Sequence, residues 1–352
     1  MERLPLETQT LYAELMEQLQ AYEAQRSIGK VPGSFVTKTV KGVTYYYFQY
    51  SQPGGRSKQA YIGRKTTDLE RVIRRFQNER NSFQVDKESI HRLCALLRTG
   101  GALVNDTASG RVLQSLADSG IFHLDGILVG THAFVVLGNL LGVRWIGASL
   151  RTQDIDIAGE SRMAVAVPQG QGPVDLPGVL EGMEIGFLPV PPFDPKQPST
   201  SFKVRGRPLR VDLLTSSQRG TDKGPVTIPR FRAAAQQLPF LDFLLKDPVK
   251  GTVINGGGVL VNVPSPARFA FHKLIVAGER NVSEHGKREK DFLQSSQVFE
   301  VLLDERPGDL SIVWEDITER GDKWIKRIRT GVKQLRERFP ETGDILRKDF
   351  LN

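Results

Sequence analysis

Asp154-Ile155-Asp156-Ile157 has the residue types and spacing best suited to chemistry in this chain. Side chains on a strand alternate between faces, so both carboxylates point one way and both isoleucines point to the core. Two carboxylates side by side repel, and each is driven toward its protonated form. A divalent cation removes that conflict, because Mg²⁺ takes hard oxygen ligands, typically one or two carboxylates together with substrate phosphates. The same Asp-x-Asp pattern arises roughly once by chance in a chain of this composition, so a solvated strand end is the plain alternative. The surroundings favour chemistry. Upstream, Leu128-Val129 reads as a strand that runs into Gly130-Thr131 and then a helix. Small residues there let the backbone approach a phosphate, and a helix N-terminus favours an anion. Downstream, Leu209 to Leu214 reads as a second strand with Asp212 amid apolar neighbours, a costly place for a carboxylate unless it is paired or metal-bound. Three carboxylates on neighbouring strands could hold two metals, an arrangement that clamps the attacking and leaving oxygens of phosphoryl transfer.

Strand, Gly-Thr, helix, Asp-x-Asp and a later lone Asp together resemble the nucleotidyltransferase fold of the DNA polymerase β superfamily. Within it the chain is most similar to a bacterial group that carries a VGTHAF-like turn, a TQDIDIA-like strand and a VDLLT-like strand, here residues 129–134, 152–158 and 211–215. The likeness covers about residues 86–300. It differs in having Gly130-Thr131 where Gly-Gly or Gly-Ser is usual, and in a longer gap from Thr131 to Asp154. The resemblance implies catalytic, metal-binding Asp154, Asp156 and Asp212, with Gly130 and Thr131 on the nucleotide phosphates. It implies Mg²⁺ or Mn²⁺, a nucleoside triphosphate such as ATP as substrate, transfer of a nucleoside monophosphate to an acceptor hydroxyl, and release of pyrophosphate. RNA, particularly a tRNA 3′ end, is the expected acceptor. Protein nucleotidylation, as in toxin-like members, is the main rival. A non-catalytic nucleic-acid-binding protein on a relic fold is a third reading.

Residues 261–280 resemble the helix that follows the catalytic core in such families. Lys273 and Arg280 lie two helical turns apart on one face, where they could meet a triphosphate or remain ordinary surface charges. Lys287, Arg288 and Lys290 beside Asp291 read as a solvated charge run. His132 and His272 are possible proton-transfer groups, but packed histidines are the plainer reading, and Asp212 is the better base. Trp145, Trp314 and Trp324 read as packing groups.

The positioning elements follow from pattern. The expected fold class is α/β (α+β), in three parts. Residues 1–85 should hold a helix over 6–26, three strands near 34–40, 44–50 and 57–63, and a helix begun by a Thr67/Glu70 capping box with Leu69, Val72, Ile73 and Phe76 inward. Residues 86–260 should hold the core: helices at 86–98, 107–118 and 131–141, strands at 126–129 and 152–157, a Gly/Pro-rich insertion over 165–200 with one short helix, and a hairpin around Arg205-Gly206-Arg207. Residues 261–352 should be helical.

The formal charge of the 352 residues is +8, yet residues 26–80 alone carry twelve bases and three acids. The positive charge is therefore concentrated in one segment, which also holds Tyr45, Tyr46, Tyr47, Phe48 and Tyr50 near Lys38, Arg56 and Lys58. Aromatics interleaved with bases suit nucleic acid, RNA more than DNA. The layout is similar to the small DNA-binding arms of integrases. Removing residues 1–85 is expected to weaken such binding and leave nucleotide binding intact. A single Cys, Cys94, and no basic-then-apolar start lead us to expect a cytoplasmic protein. The apolar stretch 126–147 is broken by His132, Asn139 and Arg144, so a buried strand and helix is expected there, with no membrane partner.

Overall fold

A computed structural model describes residues 1–26, 33–51, 57–147, 152–161, 173–192, 194–217 and 224–351. β1 (Glu2–Arg3), α1 (Leu6–Arg26), β2 (Gly33–Val40), β3 (Val43–Ser51), β4 (Ser57–Arg64) and α2 (Thr67–Thr99) come first. Then follow α3 (Thr107–Asp118), β5 (Ile127–Val129), α4 (Gly130–Leu140), β6 (Val143–Arg144), β7 (Asp154–Ala158), α5 (Leu176–Glu181), β8 (Phe187–Pro189), β9 (Ser201–Val204) and β10 (Arg210–Ser216). β11 (Val226–Ile228), β12 (Ala233–Leu238), α6 (Leu241–Leu244), β13 (Val249–Val253) and β14 (Val259–Val263) lead into the C-terminal helices. These are α7 (Pro266–Glu279), α8 (His285–Glu305), α9 (Pro307–Glu319), α10 (Asp322–Arg336) and α11 (Pro340–Phe350). The class is α+β, as expected.

The central mixed sheet runs β11-β12-β10-β7-β5, with β9 and β8 added beside β10. β7 and β10 are parallel, and β5 joins β7 antiparallel. Ile155, Ile157, Val211 and Leu213 alternate onto one face and are fully buried. Beneath them lies α4, whose residues from Thr131 to Asn139 are all buried. A helix that is apolar on every side belongs inside a core. Phe134 on α4 stacks on Trp145 at 4.7 Å and on Phe269 of α7 at 5.9 Å, which ties the sheet layer to the C-terminal helices. Burying one such ring stabilises by roughly 1.5–3 kcal/mol. Among the described residues, no helix is long and apolar enough to cross a membrane.

The N-terminal third divides differently from the expectation. α2 is one helix through residues 85 and 86, where a boundary was expected. Its N-cap is Thr66, which accepts from the Leu69 amide, while Glu70 pairs with Lys65 at 3.0 Å instead of closing a capping box on Thr67. Val72 is 63% exposed and off the inward stripe; Ile73 is buried. The side chain of Phe76 lies outside what is described. α1 packs on the C-terminal half of α2 through Tyr12, Leu15 and Leu19 against Ile90, Leu93, Cys94 and Leu97. Tyr12 Oη accepts the Thr252 amide at 3.1 Å, and β1 pairs with β6. Residues 1–26 are thus built into the body of the protein. Only β2, β3 and β4 form a separate antiparallel meander, and none of their described residues is buried.

β11 to β14 lie over residues 226–263, for which no elements were expected. In β12 the run Ala233–Ala235 pairs with β11, and Gln236–Leu238 continue beside β10. β14 crosses the expected 260/261 boundary. The C-terminal region is helical, with Trp314 and Trp324 packed among Phe271, Phe350, Phe240 and Phe243.

Candidate active site

The polar face of β7 and β10 is a small lattice of charges. Asp154 lies beside Arg210, and Asp156 beside Asp212, in the parallel register. Val129, the last residue of β5, lies on the other side of Asp156, so the turn into α4 comes directly against this carboxylate. Gly130 has φ +68°, and a Cβ there would collide with Asp156 Oδ2. Only glycine permits both the left-handed backbone and the close approach. Thr131, in the first turn of α4, is buried. Burial, and then the Asp212 carboxylate, push Asp156 up to about 7; Asp154 adds to the shift, while Lys273 and Lys290 oppose it.

Asp212 is differently placed. Its Oδ1 accepts from Arg210 Nε at 2.6 Å and from the Ser201 hydroxyl, and Arg210 Nη2 donates to Ser201 Oγ at 2.8 Å. Ser201 comes from β9, the antiparallel neighbour of β10, in register with Asp212. Arg210 and Ser201 were not among the expected site residues. Arg210 sits two residues before Asp212 on the same strand face, a spacing that was visible in the sequence.

Lys273 and Arg280 do share a face, but both are spent on Asp291. Lys273 Nζ reaches Asp291 Oδ1 at 2.6 Å, Arg280 Nε reaches Oδ2 at 2.7 Å, and Arg280 also bonds Glu284. Asp291 is buried. Burial alone would raise its pKa, but the two cations outweigh that and hold it below the usual carboxylate range. Lys290 is the cation left over. It is half-buried, feels both Asp154 and Asp156, and has no ion-pair partner among the described residues. Burial, and then Lys273, lower its pKa. The expected solvated run 287–291 is therefore split: Asp291 is a buried hub, and Lys290 is half-buried within electrostatic reach of the carboxylates.

His132 and His272 are packed and neutral. His132 Nδ1 is 2.6 Å from Asn105 Nδ2, and burial lowers its pKa to about 4. Burial lowers His272 to about 3.

Asp154 and Asp156 fit a divalent cation by donor chemistry. They are hard oxygens on one face, with no side-chain donor on either carboxylate among the described residues, and their mutual repulsion is what a doubly charged ion relieves. Asp212 has Oδ2 to add. Among the described residues, however, no three His, Cys, Asp or Glu side chains are gathered to hold a metal, and Asp212 is held by Arg210 and Ser201.

A family model described as Nucleotidyltransferase matches residues 107–319, more than half of the chain. The match spans α3 through α9 and so includes the whole carboxylate face. No curated protein and no solved structure matches.

Proposed function

The chain belongs to the nucleotidyltransferase family, and from that premise we propose that it moves a nucleoside monophosphate from a nucleoside triphosphate to an acceptor hydroxyl on RNA. The observation that carries the reading is the Asp156–Asp212 pairing with Gly130 pressed against Asp156. Asp154 and Asp156 would hold Mg²⁺ or Mn²⁺, with Asp212 completing the set. Bound there, the ion supplies charge neutralisation at the reacting phosphate oxygens.

The protein's own groups do the rest. Gly130 and Thr131 begin α4 and offer backbone donors to the phosphates, and the helix N-terminus favours their charge. Lys290 takes the triphosphate role first expected of Lys273 and Arg280, which instead fix α7 to α8 through Asp291. The acceptor oxygen bonds to the α-phosphorus as the bond to the β-phosphate breaks, and pyrophosphate leaves. Asp212 Oδ2 receives the acceptor proton, while Arg210 and Ser201 hold Oδ1 in place.

Within the family, the turn and strand sequences support membership of the bacterial polymerase-β-like group. The basic segment 26–80 supports a nucleic-acid acceptor, tRNA among the candidates. The single Cys94, buried with its thiol pushed up to about 11 by that burial, suits a reducing, cytoplasmic setting. Total RNA and total protein, each offered with every α-labelled triphosphate and Mg²⁺, test the reading. Label in RNA, lost with Asp154→Ala, is expected. Label in protein alone would shift the acceptor to a polypeptide hydroxyl. Binding of RNA with no turnover would favour the relic fold.

A further inference from the structure

We propose that the outer face of the β2–β3–β4 meander is a platform for single-stranded nucleic acid, on which Tyr45, Tyr47 and Tyr61 stack with unpaired bases. This rests on the nucleic-acid acceptor reading above and adds which face, and which form of nucleic acid, is used. Five of the seven tyrosines of the chain lie in residues 45–61. The cross-strand register puts Val36, Lys38, Tyr45, Tyr47 and Tyr61 on one face. The Tyr47 and Tyr61 rings are 5.6 Å apart, the Tyr45 and Tyr61 rings 6.0 Å, and Lys38 Nζ sits 5.0 Å from the Tyr47 centroid. The opposite face holds Phe35 against Phe48 at 5.1 Å, and there α2 approaches, with Leu69 beside Gly63. Tyr61 is 58% exposed, while Tyr45 and Tyr47 are half-buried beside it and Lys38.

Charge selects the occupant of this partly exposed aromatic face. Residues 26–80 hold twelve bases against three acids, so a second copy of this face would be repelled and a polyanion drawn in. Lys38 and Arg64 flank the tyrosines, both exposed and without an ion-pair partner among the described residues. The Tyr47 and Tyr61 rings are inclined to each other by 68° and the Tyr45 and Tyr61 rings by 52°, whereas successive bases of a duplex strand lie parallel. Bases lying on neighbouring rings are therefore splayed, which a single strand allows and a duplex does not.

Fluorescence anisotropy of the full chain, without triphosphate, tests this with labelled oligouridine and oligothymidine of about 20 nucleotides and a mixed-sequence duplex of equal length. Single strands should bind more tightly than the duplex, and the RNA and DNA arms rank the two sugars. Tyr47→Ala with Tyr61→Ala should weaken single-strand binding by about 30-fold or more while leaving the salt slope unchanged. Tyr47→Phe with Tyr61→Phe should bind like the parent, because the rings remain. Lys38→Ala should lower the salt slope by about 0.7. Equal or tighter duplex binding, no binding at all, or full affinity in the alanine pair would each overturn the platform. Its fate is separable from that of the acceptor reading. Label transferred to RNA at the parental rate by an alanine pair of unchanged affinity would end the platform alone. Tyrosine-dependent strand binding with no RNA labelling would end the acceptor reading alone.

Discussion

Asp156 and Asp212 are direct register partners on the parallel strands β7 and β10, with Val129 on the far side of Asp156. Their side chains share the face that turns away from Ile155, Ile157, Val211 and Leu213. Two acids held side by side, with a glycine turn against one of them, are costly to fold, and the compensation lies in what they bind.

Gly130→Ala should expose that constraint. The new methyl would strain a left-handed residue and strike Asp156. We expect a loss of about 1–2 kcal/mol in urea unfolding and a larger loss of triphosphate turnover. Parental turnover would mean that Asp156 is free to move.

Lys290 and Lys273 should separate by readout. Lys290→Ala is expected to raise KM for the triphosphate with little change in stability. Asp291→Ala would leave Lys273 and Arg280 without their shared buried partner and should cost about 3–5 kcal/mol, read by denaturation. A stable Asp291→Ala variant would show that the hub is not structural.

The difference between these cations explains what the sequence made legible. Alternation alone placed Asp154 and Asp156 on one face, and helical spacing placed Lys273 and Arg280 on one face. Neither pattern could say what stood opposite. Asp291, eleven residues from Arg280 and eighteen from Lys273 on another helix, decides that both cations are internal, and the packing of α8 on α7 brings Lys290 within electrostatic reach of Asp154 and Asp156. β12 escaped for a similar reason, since Ala233-Ala234-Ala235 is strand by its pairing with β11, not by propensity. The break expected near residue 85 fails because α1 supports the second half of α2 as one helix.

Because α1 supports α2, the basic module cannot be removed together with residues 1–26. Deleting residues 1–85 would strip Tyr12, Leu15 and Leu19 from the body and unfold it. Excising residues 33–64 spares α1 and α2. Such a variant should keep its nucleotide binding by calorimetry and lose most salt-dependent RNA affinity. Unchanged RNA binding would place the nucleic-acid surface elsewhere.

Acid should destabilise the fold through its buried histidines. Both pKa values are depressed, His132 to about 4 and His272 to about 3, against an ordinary 6.5. The unfolded chain then binds protons that the folded chain refuses, so stability falls as pH drops below about 6.5 and toward those values. His132 contributes on the order of 3 kcal/mol across the window. Burial dominates its shift, with Asp106 opposing and Lys290 adding; at His272 burial dominates, with Lys273 and Arg280 adding and Asp291 and Asp242 opposing. Tm followed from pH 7 to pH 4 (a window set by those ordinary and shifted values) should fall steeply in the parent and less so in His132→Gln. Parallel curves would remove His132 as a cause.

The most direct test of the account is pyrophosphate release from a nucleoside triphosphate with Mg²⁺ and total RNA, by the parent and by Asp156→Asn. The parent should release pyrophosphate in step with label entering the acceptor. Asp156→Asn keeps the shape and removes the charge, and it should lose at least about a hundredfold of that rate while remaining folded. Full turnover by folded Asp156→Asn would contradict a carboxylate-centred nucleotidyl transfer at this face.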